Sequence, residues 1–263
     1  MTERITSARN PKVKQLLQLQ EKSRTRREQG LFVVEGRREL EHCLSAGFVP
    51  RTVFYCPEIA GEWALPACQV LEVPAELYRK IAYREGTEGV LAVMEAKEAT
   101  LEALSLPDKP LVMVLESVEK PGNIGAVLRS ADAAGADAVI FCDPLTDLYN
   151  PNLIRASIGA VFTVPVATAS SAEVIAFLKA RGIRILTAQL QDSSLYYDAD
   201  MTCGTALVMG TESVGLSQAW RAAADAHIRI PMNGRLDSLN VSVSAAILLF
   251  EAVRQRVCLS VGP

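Results

Sequence analysis

Three polar segments, each directly after an apolar run, carry the side chains and glycines from which a site could be built. The first is Glu116-Ser117-Val118-Glu119-Lys120-Pro121-Gly122-Asn123-Ile124-Gly125, with Arg129 further on. A strand running into Pro-Gly and then a helix exposes unpaired N–H groups, which favour phosphate or other anions. Asn123 falls where a helix N-cap is expected, and Arg129 lies about one and two-thirds turns beyond it, toward the same end of the sheet. In the second, Met209-Gly210-Thr211-Glu212-Ser213-Val214-Gly215-Leu216, two glycines bracket one carboxylate. Backbone without Cβ atoms can approach a ligand closely there. The third, Ile230-Pro231-Met232-Asn233-Gly234-Arg235-Leu236-Asp237-Ser238-Leu239-Asn240, leads into an alanine-rich helix, with Ser238 or Asn240 as a possible cap. Taken singly, each segment also fits an ordinary strand-to-helix turn, and Arg129 fits a surface or ion-paired arginine. The Gly-x-Gly-x-x-Gly dinucleotide fingerprint and the Gly-Lys-Ser/Thr of a P-loop are both absent.

The elements that position these segments are legible from the apolar pattern. Apolar strands without alternation are predicted at Leu111–Leu115, Ala138–Phe141, Thr163–Ala167, Arg184–Ala188, Ala206–Gly210 and His227–Ile230. They alternate with helices at Ile124–Ala134, Ser171–Ala180 and Val241–Arg254. That rhythm predicts a parallel α/β sheet buried on both faces. Upstream, strands at 31–34, 53–56, 70–73 and 90–93 and helices around 37–46 and 74–81 make a smaller α/β unit. Asn10-Pro11 opens a further helix with Val13, Leu16, Leu17 and Leu19 as its apolar side. The charged stretch from Glu95, ending in Leu-Pro-Asp-Lys-Pro at Pro110, reads as a linker.

Composition removes several classes. With 49% hydrophobic and 22% charged residues over 263 positions, the chain can bury a normal core. No apolar run reaches the roughly 18–20 residues of a membrane span, and the N-terminus is unlike a signal peptide, so a cytoplasmic, membrane-free protein is expected. The six cysteines form no Cys-x-x-Cys pair, and the two histidines, His42 and His227, lie outside the three segments. No metal site is therefore expected, and the cysteines are expected as buried thiols. Residues 1–40 hold ten Lys/Arg against five Glu, on a chain whose overall balance is −3. This basic arm on an acidic body is either a polyanion contact or a solvated helix face.

In this order, the three segments resemble the signature motifs of the SpoU (TrmH-like) family of RNA ribose 2′-O-methyltransferases, within the SPOUT superfamily. The likeness spans about residues 110–256 and includes Tyr149-Asn150-Pro151 and Arg155-Ala156-Ser157-Ile158-Gly159-Ala160-Val161-Phe162. Residues 30–95, with Phe32-Val33-Val34-Glu35-Gly36-Arg37-Arg38, are similar to the L30e-like substrate-binding domain of longer members. The resemblance implies a C-terminal SPOUT domain with a parallel sheet and deep trefoil knot, plus a smaller N-terminal L30e-like α/β domain. The expected division is a basic helical arm over 1–29, the L30e-like domain over 30–97, a linker over 98–109 and the methyltransferase domain over 110–263. It also implies S-adenosylmethionine as cofactor, held at Gly210, Ile230 and Leu239, and catalysis by Arg129 with Asn123, Glu212, Ser238 and Asn240. A guanidinium is too basic to act readily as a base, so Arg129 could instead stabilise the alkoxide or orient a phosphate, with Glu212 fixing its planar fork. The implied partners are RNA, ribosomal rather than transfer RNA, and a second copy in a homodimer. A transfer RNA 2′-O-methyltransferase, a catalytically silent RNA-binding protein of the same fold, a nucleotide-dependent oxidoreductase and a ribosome-associated module are the alternatives.

Overall fold

The computed structural model describes residues 2–83, 88–211, 214–235 and 237–260. Along the chain the first elements are β1 (Thr2–Arg4), α1 (Pro11–Glu21), α2 (Ser23–Gln29), β2 (Leu31–Glu35), α3 (Arg37–Ser45), β3 (Pro50–Tyr55), α4 (Pro57–Ala60), β4 (Gln69–Glu72), α5 (Ala75–Ile81) and β5 (Val90–Glu95). They continue with β6 (Leu111–Glu116), α6 (Pro121–Ala134), β7 (Ala138–Cys142), α7 (Pro151–Ser157), α8 (Ala160–Thr163), β8 (Val166–Ala169) and α9 (Ser171–Ala180). The last are β9 (Arg184–Ala188), β10 (Ser194–Leu195), β11 (Thr205–Met209), α10 (Gln218–Ala223), β12 (Ala226–Arg229) and α11 (Val241–Ser260). They form two compact units, one of residues 1–98 with 147–163, the other of residues 99–146 with 164–263.

The first unit is built on a five-stranded sheet in the order β1-β4-β3-β5-β2. Its pairs are parallel except β3/β5 and β5/β2. The edge strand β1 has no apolar alternation of its own; pairing with β4 creates it. Asn10 caps α1 by accepting the Lys12 N–H at 2.8 Å, and Pro11 opens the helix. Val13, Leu16 and Leu19 then enter one core with Phe54, Leu71, Tyr78 and Leu91. The basic arm is thus part of this unit's packing, with Lys12, Lys14 and Arg27 on its outer side. Arg26 points the other way and is buried. Its Nη1 donates to the carbonyls of Leu19 at 2.6 Å and Gln20 at 3.2 Å. Its Nε donates to Asp147 Oδ2 at 2.9 Å, and Nη2 reaches the same oxygen. Desolvating a guanidinium is costly, and here the cost is met by a carboxylate and two carbonyls.

Segment 147–163 brings aromatic rings to the first unit. Tyr149 stacks on Phe32 with centroids 4.2 Å apart, and Phe162 lies 5.7 Å from Phe32. The Tyr149 hydroxyl donates to the Lys97 carbonyl and accepts the Lys97 N–H, both at 3.0 Å. Burial pushes its phenol up to about 12, so it stays neutral. Asn150 caps α7 through the Asn152 N–H at 2.9 Å. This stretch of family likeness is spent on packing.

The second unit holds seven strands, β10-β12-β9-β11-β6-β7-β8, all parallel. Every residue of β6, β7 and β11 is buried, as the non-alternating apolar runs predict. Three boundaries differ from the sequence reading. Helix α6 begins at Pro121 with Lys120 as its N-cap, so Asn123 sits inside the first turn and is not the cap; proline is favoured at the opening position because its fixed φ suits the helix. The strand expected over Thr163–Ala167 is β8, because Ala160–Thr163 makes a helical turn and Val164, preceding Pro165, is driven toward extended backbone. The stretch read as a linker has Leu101 buried in the second unit's core, and the Thr168 N–H donates to the Ala99 carbonyl at 2.7 Å.

Because all seven strands point the same way, their carboxyl ends share one edge. The chain leaves β6 toward β7 and β8, then returns to the other side to lay down β9 and β11. The order reverses at β6/β11, where open parallel sheets leave a crevice for ligands.

Candidate active site

A cavity of about 360 Å³ opens at this edge. Its walls are the end of β9 and the turn after it (Ala188, Gln189, Leu190, Gln191), the end of β11 and the loop after it (Met209, Gly210, Thr211, Val214, Gly215, Leu216), and the end of β12 with the stretch after it (Ile228, Arg229, Ile230, Met232, Asp237, Ser238, Leu239). Arg221 of α10 and Val241, Ser244 and Leu248 of α11 complete it. A smaller recess of about 210 Å³ is lined by Val118, Glu119, Lys120 and Asn123, and shares Gly210, Thr211 and Val241 with the first. One glycine loop therefore separates a large cavity of mixed lining from a smaller recess, mostly apolar, onto which Asn123, Glu119 and Lys120 open.

That loop folds back on itself. The Gly215 N–H donates to the Thr211 carbonyl at 3.0 Å, the Val214 N–H donates to Thr211 Oγ1 at 3.2 Å, and Gly215 takes a φ of +69°. A Cβ on Gly210 would stand 2.2 Å from the Gly215 carbonyl oxygen, so no side chain fits there. The loop's far end is anchored by Glu116, a buried carboxylate at the end of β6. Its Oε2 accepts the Ser217 N–H at 2.8 Å, and its Oε1 accepts from Ser171 Oγ at 3.3 Å. The indole Nε1 of the buried Trp220 donates to the same Ser171 Oγ at 3.0 Å. Beside Glu116, burial first and then the Asp143 and Glu116 charges hold the Cys142 thiol far above its ordinary range. Cys142 is thus a neutral filler, as are the buried Cys43 and Cys56, whereas Cys68 and Cys203 are only partly buried; the Cys258 side chain is outside those described.

The candidate residues are partly brought together. Gly210, Ile230, Leu239 and Ser238 line the large cavity, and Asn123 lines the recess. Asn123 Oδ1 accepts from Asn240 Nδ2 at 3.2 Å, joining the first and third segments. Asn240 also caps α11, its Oδ1 accepting the Ser242 N–H at 2.9 Å and Ser242 Oγ at 2.7 Å. Ser238 Oγ donates to Asp237 Oδ1 at 3.3 Å. Arg129 is exposed on α6 and belongs to neither lining. Glu212 lies outside the described residues. Gln189 and Arg221 escaped sequence reasoning, and Glu116 was read only as part of its segment; for Gln189 the signal was one more polar strand end, Gln189-Leu190-Gln191, of the kind that marks the other three.

The cavity has the size and mixed lining of a small-molecule site. Two buried polar atoms in it, Gln189 Oε1 and Arg221 Nε, have no hydrogen-bond partner among the described residues. Ile230, Leu239 and Leu216 offer apolar flanks for a planar ring, and Gly210 offers bare backbone. These features suit an adenosine carrying a charged tail. Among the described residues no group of His, Cys, Asp and Glu is placed to hold a metal ion.

The model of the SpoU rRNA methylase family matches residues 110–250. The chain belongs to the SpoU rRNA methylase family. This SpoU match contains all three polar segments and every wall of both cavities. Residues 10–92 match the MRM3-like substrate binding domain, which takes in α1 and α2 as well as the sheet. Among SpoU-type relatives, the 23S rRNA (uridine(2479)-2′-O)-methyltransferase of Streptomyces viridochromogenes is 33% identical over 97% of this chain and 93% of its own length. The 23S rRNA (guanosine(2553)-2′-O)-methyltransferase of Bacillus subtilis is 29% identical over 94% of this chain and 97% of its own. The crystal structure of an AdoMet-bound rRNA methyltransferase from Sinorhizobium meliloti superposes with a TM-score of 0.88 at 31% identity, covering 96% of this chain and 98% of that one.

Proposed function

We propose that this chain methylates a ribose 2′-hydroxyl of 23S ribosomal RNA, with S-adenosylmethionine as donor. The observation that carries the reading is the pair of cavities meeting at Gly210 and Thr211, one suited to the cofactor, the other opening on Asn123. When bound, S-adenosylmethionine supplies a methyl group already activated by its sulfonium. The protein's task is then to place and activate a weakly acidic hydroxyl. Gly210 admits backbone contact, and Ile230 and Leu239 flank the ring. Asn123 and Asn240, held to each other, present amide groups to the ribose, with Ser238 on the wall of the cofactor cavity and Glu212 as a further member of the set. Arg129 faces solvent and has no ion-pair partner among the described residues, so its guanidinium is available to an incoming ribose or phosphate. It acts on the developing alkoxide electrostatically.

The enzyme works as a homodimer in the cytoplasm. Val243, Phe250 and Val257 stand exposed on α11 at seven-residue spacing, a stripe apt for a second helix. No helix among the described residues is long and apolar enough to cross a membrane. The deep trefoil knot belongs to this reading too; α11, which follows β12 in the chain, packs on α6, β6 and β11. Light scattering of the parent should give the dimer mass, and Phe250→Glu the monomer mass; a monomeric parent would refute the dimer.

The activity is tested with ribosomal RNA from cells lacking the gene, labelled S-adenosylmethionine, and mass spectrometry of the digested product. One new 2′-O-methylnucleotide in 23S rRNA is the expected result. Label found only in transfer RNA, only on a base, or nowhere would overturn the reading.

A further inference from the structure

We propose that Arg221 holds the carboxylate of the cofactor's amino-acid tail; this rests on the cofactor reading above. Arg221 lies on α10, after the glycine loop and outside the three polar segments. It lines the large cavity, and its Nη2 is 3.9 Å from where a Gly215 Cβ would stand. Its Nε is buried with no acceptor among the described residues. The other arginine of the lining, Arg229, is already engaged, donating to Ser193 Oγ at 3.4 Å. Within the same lining Gln189 gives its amide N–H to the Gln191 carbonyl at 2.9 Å, which leaves Oε1 turned away and also unpartnered. Two orphaned groups of opposite hydrogen-bonding sense in one cavity point to a ligand that carries both acceptors and donors.

A guanidinium whose Nε is shut away from water is favoured beside an anion or a strong acceptor. S-adenosylmethionine at neutral pH carries one anionic group, the carboxylate, and two cationic ones, the ammonium and the sulfonium. Arg221 therefore attracts one end of the molecule and repels the methyl-bearing sulfur, which fixes the sense in which the tail lies. Asp237, a carboxylate of the same lining, forms no ion pair with Arg221, so the position for an anion beside the guanidinium is open. A hydrogen bond to a charged group contributes roughly 10- to 100-fold in affinity.

Calorimetry on the full-length protein tests this with S-adenosylmethionine, S-adenosylhomocysteine, decarboxylated S-adenosylmethionine and methylthioadenosine. The parent should bind S-adenosylmethionine about 10- to 100-fold tighter than its decarboxylated analogue. Arg221→Gln should erase that gap while leaving methylthioadenosine affinity unchanged, and Arg221→Lys should restore part of it. A parent that does not discriminate the carboxylate overturns the proposal without any variant, and so does a gap that survives in Arg221→Gln. Equal weakening of all four ligands in Arg221→Gln also overturns it. A parent that binds S-adenosylmethionine in none of these assays would instead bring down the cofactor reading, and this proposal with it.

Discussion

Arg26 in the first unit and Arg221 in the second are both arginines held against a protein interior, yet their surroundings are opposite. Arg26 meets the Asp147 carboxylate and the carbonyls of Leu19 and Gln20, so its donors are engaged within the fold. Arg221 keeps a buried Nε with no acceptor among the described residues. Residue type is shared; Arg26 is buried throughout and Arg221 only in part, and it is the partly buried one that has a donor left over. A saturated buried charge ties segments together, whereas an unsaturated one at a cavity wall is kept for something that arrives. Asn150 and Asn240 repeat the contrast: both cap helices, but Asn240 also reaches across to Asn123 at the recess.

The comparison can be broken at several points. The largest effect is expected at Arg129, the unpaired guanidinium of α6 among the described residues: Arg129→Ala should slow single-turnover methylation by about a hundred- to a thousandfold, with S-adenosylmethionine affinity unchanged. Arg129→Lys keeps the charge but loses the fork, so a similar loss in that variant would assign the role to geometry. Rates within a few-fold of the parent for Arg129→Ala would remove it from catalysis. Next comes the saturated site. Asp147→Ala leaves the Arg26 charge buried and half-served, and denaturant unfolding should register about 3 kcal/mol of lost stability. The corresponding change at Arg221, to Gln, should leave stability unchanged or raise it, since it removes an unmet donor; equal destabilisation by both would erase the distinction between the two arginines. Gly210→Ala drives a Cβ into the Gly215 carbonyl, a backbone atom with little room to yield. Cofactor affinity should fall by about 10- to 100-fold at a cost typical of overpacking, read by calorimetry. The smallest effect is expected on the outer face of α1 and α2. Replacing Lys12, Lys14 and Arg27 together with Gln should flatten the salt dependence of RNA binding by about 0.7 in slope for each phosphate no longer neutralised. An unchanged slope would place the RNA surface elsewhere.

Much of the site was legible because strand ends in a parallel sheet announce themselves. Apolar runs that break at Gly210, Pro231 or Pro121 leave polar residues at one edge, and three such breaks in order carry the family resemblance. Glycine at 210 was readable as a close approach, and the structure supplies the partner, Gly215. What sequence could not show is satisfaction. Counting Arg26 among ten basic residues treats it like Lys12, although one is buried and the other exposed. Nothing local to Arg221 distinguishes it from a surface arginine on a short helix. Strand β1 was illegible because its three residues owe their conformation to β4. The place of residues 147–163 was illegible for the same reason: Tyr149 belongs with Phe32 through a ring contact that spans more than a hundred positions.

That pairing of Tyr149 with Phe32 bears on how such a chain is assembled and recombined. A piece ending at residue 98 would carry Phe32 and Phe48 without the ring of Tyr149 or Phe162 that covers them, and would lack the Asp147 carboxylate that Arg26 requires. During synthesis the first unit cannot close its aromatic cluster until position 163 has left the ribosome, by which time β6, α6 and β7 have already emerged. Nor can it be exchanged by a single crossover in the chain: any graft that keeps it intact must also carry a piece cut from the middle of the methyltransferase sequence. The two units are therefore interleaved in the sequence, although each is compact in space.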